Sequence, residues 1–298
     1  MLKILQINSE KCIKCENCVK ACSVKLFTVH RDTETMEKKV IYEDPYGFCF
    51  RCGHCISVCP TSAIEFEGTE APYTFPEAEQ PETIISYEDL MKLIRSRRSI
   101  RVFKRKAVEK EKIEKILEAM RYAPSASNRQ KRAYIIITDR NKIAQLSKEV
   151  GSLMKKVKFL LKIKYLLAPF VAPSLRRRLL SKKTKKSLEM FFERTKNGED
   201  LIFFNAPCVI ILHAPPYSQM AGPDAGIAFT HGMFTALTLG LGTCWIGYAQ
   251  EFFVRNKKAR KKWGIPSKHN VFGVMIVGYP DIKFLASPPR KALNVKYF

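Results

Sequence analysis

The sequence predicts an α+β chain of two domains, a small cysteine-rich domain followed by a larger mixed α/β domain. Eight of the ten cysteines lie between Cys12 and Cys59. In the rest of the chain, stretches with helical apolar periodicity alternate with short apolar runs that are typical of strands. At 298 residues, the chain also exceeds the usual size of one domain. We predict a first domain over residues 1–66, a linker over 67–86 and a second domain over 87–298.

The chain is strongly basic, with 52 Lys and Arg against 28 Asp and Glu. Such an excess attracts anionic partners or surfaces, and part of it can neutralise anionic prosthetic groups. Because no groove-reading or single-strand-binding motif accompanies the charge, we predict no nucleic-acid partner. The start of the sequence lacks the apolar region of a secretory signal. Clustered thiols then indicate metal ligation in a reducing compartment, and we predict a cytoplasmic location.

The clustered cysteines form two runs with the same spacing, C-x2-C-x2-C-x3-C. The first run is Cys12, Cys15, Cys18 and Cys22, and the second is Cys49, Cys52, Cys55 and Cys59. In such runs three thiolates hold three irons of one cubane, and the fourth cysteine ligates the other cluster. Structural zinc is the alternative, because Cys-x2-Cys pairs also build tetrahedral zinc sites, but zinc does not need two complete runs.

These first sixty-odd residues resemble the bacterial-type ferredoxins, which carry two 4Fe-4S clusters. The resemblance implies one cluster on Cys12, Cys15, Cys18 and Cys59, and another on Cys22, Cys49, Cys52 and Cys55. The family usually has proline after the first run, where this sequence has Ser23, a departure that affects loop packing and not ligation. Cys208 and Cys244 lie apart from the runs, and we predict that both are buried core thiols.

The linker and the second domain are predicted from composition and periodicity. Residues 67–86 contain three prolines and five glutamates, as in an extended linker. A capping-box-like start at Ser86 predicts a helix that ends at a basic run, and Ile113, Ile116 and Met120 predict a second helix. Further along the chain we predict strands at 133–139, 207–214 and from 270, helices near 141–150 and over 225–240, an amphipathic helix over 251–263, and a glycine-rich turn at 240–247.

Three segments of the second domain have side chains suited to a flavin. A cluster of guanidinium groups suits phosphate oxygens or a flavin pyrimidine, although a basic run is more often a solvated face. A loop of short hydroxyls and amides suits ring edges and ribityl hydroxyls, although an ordinary turn has the same composition. A glycine-rich segment with a Trp suits a planar ring. The three segments are Arg97, Arg98, Ser99 and Arg101; Pro124, Ser125, Ala126, Ser127, Asn128 and Gln130; and Trp245, Ile246 and Gly247.

In this order, the three segments resemble those of the nitroreductase family of FMN-dependent oxidoreductases, from about Tyr87 to the C-terminus. The resemblance implies that all three contact FMN and that Arg290 contacts its phosphate. It also implies a homodimer with flavins at the subunit interface, in which the uncharged helix Ala225–Gly240 would be buried between subunits. A central helix of a monomer is the alternative. Members of this family use NAD(P)H without a separate nucleotide fingerprint.

Together, the two domains predict an oxidoreductase that passes electrons between two 4Fe-4S clusters and FMN and reduces a small organic acceptor. The acceptor classes are nitroaromatics, quinones and activated alkenes, and the sequence does not choose between them. A redox partner such as ferredoxin is one alternative electron donor to NAD(P)H. We predict no catalytic acid–base residue, because the flavin carries the chemistry. An electron-transfer relay without small-molecule turnover is the alternative function.

The segment 153–194 interleaves apolar residues with many cations. We predict a substrate lid, a docking element for an acidic partner, or a peripheral contact with an anionic membrane surface. Two stretches, 201–223 and 225–250, lack Asp, Glu, Lys and Arg. The first is interrupted by prolines, and the second contains His231 and ends in a glycine-rich turn. We therefore predict that neither stretch spans a membrane.

Overall fold

A computed structural model describes residues 1–34, 36–163, 177 and 181–298. Residues 164–176 and 178–180, in the middle of the predicted lid or docking segment 153–194, therefore lie outside the described residues. The chain divides into two compact units, Met1–Ser86 with Ala126–Arg129, and Tyr87–Ser125 with Gln130–Phe298. The domain boundaries at residues 66 and 86 stay predictions.

The N-terminal unit has two small antiparallel sheets and two short helices. Strand β1 pairs with β4, and β2 pairs with β3. Its core is small and consists of Ile4, Phe27, Val40 and Ile64, with several cysteine side chains packed against it. The elements are β1 (Lys3–Ile7), α1 (Asn17–Ala21), β2 (Phe27–Arg31), β3 (Lys38–Tyr42), α2 (His54–Ser57) and β4 (Ile64–Glu67). A core of this size leaves the cysteine loops to be held largely by backbone hydrogen bonds.

The predicted linker contains two 3-10 turns, Pro76–Glu79 and Pro81–Thr83, each begun by a proline. Its residues from Gly68 onward are exposed. Proline fixes φ near the helical value and lacks an N–H, so it can begin a turn but not continue a helix. The segment is therefore irregular and solvated.

The second unit is a four-stranded antiparallel sheet with helices on both faces, in the strand order β5-β6-β8-β7. The described elements are α3 (Tyr87–Ser96), α4 (Lys110–Arg121), β5 (Ala133–Ile137), α5 (Arg140–Lys162), α6 (Lys182–Lys196), β6 (Cys208–Ala214), α7 (Ala221–Thr238), β7 (Gly242–Trp245), α8 (Gly247–Arg255), α9 (Lys257–Lys262) and β8 (Asn270–Gly278).

Two apolar cores cover the two faces of this sheet. Helices α5, α8 and α9 pack on one face, and α4 and α7 pack on the other. Strand β6 is buried along its whole length, and its alternate residues enter the two cores: Val209 and Ile211 enter one, Ile210 and Leu212 the other. Burial on both faces explains why β6 is a continuous apolar run.

Several predicted elements differ from the structure in extent or type. The predicted glycine-rich turn contains strand β7, because its residues pair with β8 at an edge of the sheet. The predicted amphipathic helix over 251–263 is two helices, interrupted at Asn256, whose side chain accepts a hydrogen bond from the N–H of Ala259. The helix predicted near 141–150 extends to Lys162.

The helix predicted over 225–240 without charged residues is α7, which begins earlier, at Ala221, and therefore includes Asp224. Within one chain only part of its surface is buried, since Thr230 is exposed and Ile227 is 38% exposed. In the described part of the chain, no helix combines the length and apolar character needed to cross a membrane.

Candidate cluster and flavin sites

The eight clustered cysteines line two cavities of the N-terminal unit. One cavity is lined by Cys12, Cys15, Cys18 and Cys59, and the other by Cys22, Cys49, Cys52 and Cys55. Each cavity therefore combines three thiols of one run with the last thiol of the other. These are the two sets that the ferredoxin resemblance implies, and their chemistry, four thiols per cavity, fits a cubane cluster.

The two loops repeat the same backbone conformation. Lys14 and Glu16 flank Cys15 with φ of 58° and 62°, and Arg51 and Gly53 flank Cys52 with φ of 56° and 77°. Three of the four are non-glycine residues in the left-handed region, which is uncommon and clusters at binding loops. The repeat seen in the sequence is thus also a repeat of local structure.

Backbone N–H groups donate to sulfur at matching places in the two halves. The N–H of Leu26 lies 3.4 Å from Sγ of Cys22, and the N–H of Ala63 lies 3.2 Å from Sγ of Cys59. Each donor follows the last cysteine of its run by four residues. Hydrogen bonds to a thiolate stabilise its negative charge and, in iron–sulfur proteins, tune the reduction potential.

The pKa values of three cluster cysteines are shifted, and not all in the same direction. Burial raises the pKa of Cys18, and it raises the pKa of Cys55 to about 12. Burial raises the pKa of Cys59, but the hydrogen bonds to its sulfur, of which the one from the Ala63 N–H is the largest, outweigh burial, so its pKa lies below the usual value.

Among the described residues, no group of three or more His, Cys, Asp or Glu side chains is placed to hold a single metal ion.

The rest of each cavity lining is mostly apolar. Phe27, Tyr42 and Phe50 line the cavity of Cys22, whereas Ile7 and Val40 are among the residues that line the cavity of Cys12. Apolar surroundings limit the access of water to a bound group and lower the local dielectric constant, both of which affect its potential.

The first predicted flavin segment lies along the edge strand β7. Ser99 forms a parallel bridge with Thr243, and the N–H of Ile100 donates to the carbonyl of Thr243 at 2.9 Å. Arg97 is half-buried and Arg101 is exposed. The structure therefore brings the first and third predicted segments together.

Arg98, in the same segment, holds the C-terminal tail. Its guanidinium donates to the carbonyl oxygens of Arg95, Arg97 and Ala286, and it lies 5.3 Å from the centre of the Phe284 ring. Both terminal nitrogens of the Arg98 guanidinium therefore already donate to backbone carbonyl oxygens. Arg290, further along the tail, is exposed and donates to the carbonyl of Pro289.

Trp245 in the third segment is anchored by its own unit. Its indole N–H donates to Oε1 of Gln250 at 2.9 Å, and its ring meets Phe229 edge-on with centroids 4.8 Å apart. A Cβ on Gly273 would lie 2.9 Å from Cζ2 of the indole. Trp245 is half-buried, Ile246 is buried and Gly247 is exposed at the start of α8, so Gly247 is the most exposed residue of this segment.

The second predicted segment lies elsewhere on the sheet. In the second unit, Pro124, Ser125 and Gln130 precede β5, at the opposite edge from β7. Three strand spacings of about 4.8 Å separate those edges by roughly 14 Å. The N–H of Gln130 donates to Oγ of Ser125 at 3.0 Å, which closes the loop. Ala126, Ser127 and Asn128 group with the N-terminal unit.

Sequence reasoning missed the residues that support these segments. Gly242 and Thr243 dock the first segment, Gln250 orients Trp245, and Arg132 donates to the carbonyls of Ala123 and Pro124 below the second segment. Only Gly242 had a local signal, since glycine in an apolar strand marks a close approach.

Comparison with known proteins identifies both parts of the chain. Residues 94–279, more than half of the chain, match the nitroreductase family, and residues 11–71 match the 4Fe-4S dicluster domain. The chain therefore belongs to the nitroreductase family and carries an N-terminal 4Fe-4S dicluster domain. These matches confirm the predicted family, oxidoreductase class and α+β fold.

Three relatives illustrate the likeness. A putative NADH dehydrogenase/NAD(P)H nitroreductase from Archaeoglobus fulgidus is 29% identical over 199 residues, which cover 65% of this chain and 86% of that protein. NAD(P)H-quinone oxidoreductase subunit I from Gloeobacter violaceus is 40% identical over 57 residues, which cover 18% of this chain and 27% of that protein. A nitroreductase from Desulfitobacterium hafniense, solved with bound FMN, is 23% identical with a TM-score of 0.50, and the match covers 69% of this chain and 97% of that one.

Proposed function

We propose that this chain is an iron–sulfur flavoprotein oxidoreductase that passes electrons between two 4Fe-4S clusters and FMN and reduces a small organic acceptor. The observation that carries the proposal is the pair of cavities, each lined by three thiols of one run and one thiol of the other. Ferredoxins with two cubanes share ligands in this way, whereas a zinc ribbon does not need two complete four-cysteine runs.

The cluster ligands would be the two four-cysteine sets that line the cavities. The backbone N–H groups of Leu26 and Ala63 already donate to cysteine sulfur, so they would stabilise negative charge on each bound cluster. The apolar residues of the linings would keep water away from the metal. The exposed Cys15 and Cys52 would leave one side of each cluster near solvent, where electrons enter or leave.

FMN would be held by the segment from Arg97 to Arg101 together with the backbone around Gly247. Bound FMN accepts electrons singly and delivers them in pairs as a hydride. Arg97 and Arg101 would bind anionic groups of the cofactor, and a guanidinium near the pyrimidine would stabilise negative charge there. The fold shared with the FMN-bound protein of D. hafniense supports an FMN site in the second unit.

A homodimer would complete the flavin site. Pro124, Ser125 and Gln130 lie at the sheet edge away from β7, so in one chain they are separated from the first and third segments. In a two-fold dimer the second segment of one copy can face the first segment of the other. The exposed part of α7, which includes Ile227 and Thr230 and no charged side chain, would lie in such an interface.

NADH or NADPH is the proposed donor, because the relative from A. fulgidus is described as an NAD(P)H nitroreductase. A reduced ferredoxin is the alternative donor, and its electrons would enter the protein at the clusters. A nitroaromatic, a quinone or an activated alkene is the proposed acceptor. The likeness to a quinone oxidoreductase subunit is limited to the cluster domain, so it does not select the quinone.

Anaerobic purification and reconstitution test the proposal. We expect about eight iron and eight sulfide per chain and one FMN, with bleaching of both chromophores by NADH, NADPH or reduced ferredoxin. Turnover is then measured with a nitroaromatic, a quinone and an activated alkene. Reducible cofactors without turnover of any acceptor would favour the relay function, and a colourless protein that holds zinc would overturn the proposal.

A further inference from the structure

The cation excess of the chain belongs to the second part of the sequence. Residues 1–86 have 9 Lys and Arg against 13 Asp and Glu, whereas residues 87–298 have 43 against 15. Three helices hold a large share: α5, α6 and α9 contain 18 Lys and Arg and 3 Glu. A flavin phosphate neutralises only a small part of this charge, so most of it has no role in the proposed redox chemistry.

The three helices lie side by side. Helices α5 and α9 pack on the same core of the sheet through residues such as Leu146 and Ala259. Glu149 of α5 accepts hydrogen bonds from Nζ of Lys262 at 2.5 Å and from Nε1 of Trp263 at 2.9 Å. Further along α5, Nζ of Lys158 lies 4.6 Å from the centre of the Phe192 ring of α6. Side chains of α5 therefore contact both α9 and α6, and we call the exposed residues of these three helices the basic face.

Most of the carboxylates near the basic face are already paired. Lys262 binds Glu149 of α5, and Lys185 lies 3.8 Å from Glu189 of α6. Lysines such as Lys155, Lys182 and Lys258 are exposed, and the contacts described for this face pair none of these three with a carboxylate. The basic face thus presents a field of one sign to the solvent, which favours an anionic surface over a neutral one.

Exposed apolar side chains lie among these lysines. Phe159 of α5 is 62% exposed and Met190 of α6 is 54% exposed. Phe159 follows Lys158 directly, and Met190 lies one helical turn after Lys186. Lysine stems with charged ends, interspersed with Phe and Met, are typical of helices that lie in the headgroup region of an anionic bilayer.

We infer that the basic face binds the surface of a bilayer containing anionic lipids, as a peripheral contact. A bilayer provides both the negative charge that matches the lysines and the acyl boundary that accepts Phe159 and Met190. An acidic protein or a nucleic acid would match the charge alone. The inference goes beyond the proposed redox function, which requires no membrane, and would place the enzyme where lipophilic acceptors are concentrated.

Flotation of the reconstituted full-length protein with lipid vesicles tests the inference. Vesicles of phosphatidylcholine are compared with vesicles that contain about one third phosphatidylglycerol, at low and at high salt. We expect binding only to the anionic vesicles, with strong weakening by salt. The double variant Lys182→Glu with Lys183→Glu should bind at least about tenfold more weakly. These positions begin α6, where carboxylates favour the helix, so the fold should persist.

Matched variants separate the basic face from net charge. Lys110→Glu with Lys115→Glu changes net charge equally on α4, which packs on the other face of the sheet, and should retain binding. Phe159→Ser should weaken binding at high salt more than at low salt. Equal loss in the α4 variant, absence of binding to anionic vesicles, or preferential binding of DNA or polyglutamate with no vesicle binding would overturn the inference. Circular dichroism melting confirms that each variant is folded.

Discussion

A Cβ atom added to Gly242 would lie 2.5 Å from Cγ1 of Ile100. Gly242 opens the edge strand β7, and Ile100 follows the basic residues of the first predicted flavin segment. The N–H of Ile100 donates to the carbonyl of Thr243, one residue after this contact. Because Gly242 has no side chain, the first flavin segment can lie directly against the sheet. The position of the proposed flavin site therefore depends on this glycine.

Replacement of Gly242 by Ala should displace Ile100 and the basic segment attached to it. We expect a loss of about 1–3 kcal/mol in the free energy of unfolding, as for other overpacked sites, and weaker retention of FMN. Gly151→Ala is the control, because a Cβ there meets nothing within 4 Å in the middle of α5 and should leave stability unchanged or raise it. Chemical denaturation and flavin content provide the measurements. Full stability in the Gly242 variant would contradict this account.

Substitution of Arg97 tests the proposed anion contact of the first segment. Arg97→Ala should raise the dissociation constant for FMN by about tenfold or more, because a charge-assisted hydrogen bond contributes roughly 1.5–3 kcal/mol. The dissociation constant of the Arg97→Lys variant should lie between those of the parent and the Ala variant, because lysine keeps the charge but lacks the planar guanidinium that binds two oxygens at once. Arg255→Ala is the control, because Arg255 is exposed on α8 and pairs with Glu251. Fluorescence titration of the apoprotein with FMN measures the effect.

Arg290→Ala extends the same test to the C-terminal tail. If Arg290 binds the FMN phosphate, this variant should lose about as much FMN affinity as Arg97→Ala. Arg98→Ala should act differently, because Arg98 binds the carbonyl of Ala286. Its main effect should be faster proteolysis of the tail. Retention of FMN in both the Arg97 and the Arg290 variants would count against the mapping of the site.

Much of this architecture was predictable because it is local. The spacing of the cysteines and the helical period of Ile113, Ile116 and Met120 depend on residues close in sequence. Strand β7 was not predicted, since its four residues form a strand only through pairing with β8. The role of Arg98 also escaped prediction, because its partner Ala286 lies 188 residues away. Non-local contacts of this kind leave no periodic signal in the sequence.

The shared cysteines give a prediction that separates two clusters from any other use of the thiols. Cys59→Ala should remove the cluster that also uses Cys12, Cys15 and Cys18, or convert it to a three-iron form, and leave the other intact. Cys22→Ala should do the converse. Iron content should fall from about eight per chain to about four if the cluster is lost, or to about seven if it becomes a three-iron cluster, and the two variants should leave different EPR spectra. Cys208→Ala, a buried thiol of β6, should keep both clusters.

A residual spectrum of the Cys59 variant that matches that of Cys52→Ala, and not that of Cys15→Ala, would contradict this partition. It would mean that each run supplies all four ligands of its own cluster, against the lining of the two cavities.

The pair His213 and His269 should make the second unit sensitive to acid. Their Nδ1 atoms are 2.8 Å apart, His213 is 5% exposed, and burial together with the neighbouring ring lowers the pKa of His213 below its usual value of 6.5. The unfolded chain then binds a proton at a higher pH than the native state. The contribution of this pair to the free energy of unfolding is therefore fully present above about pH 6.5 and decreases as the pH falls from there through the lower pKa of the folded state.

His213→Asn should reduce this pH dependence, whereas His231→Asn should not. Melting temperatures at about pH 7.5 and 5.5 provide the comparison, and an acid-induced decrease in the His213 variant as large as that of the parent would exclude this pair as its cause.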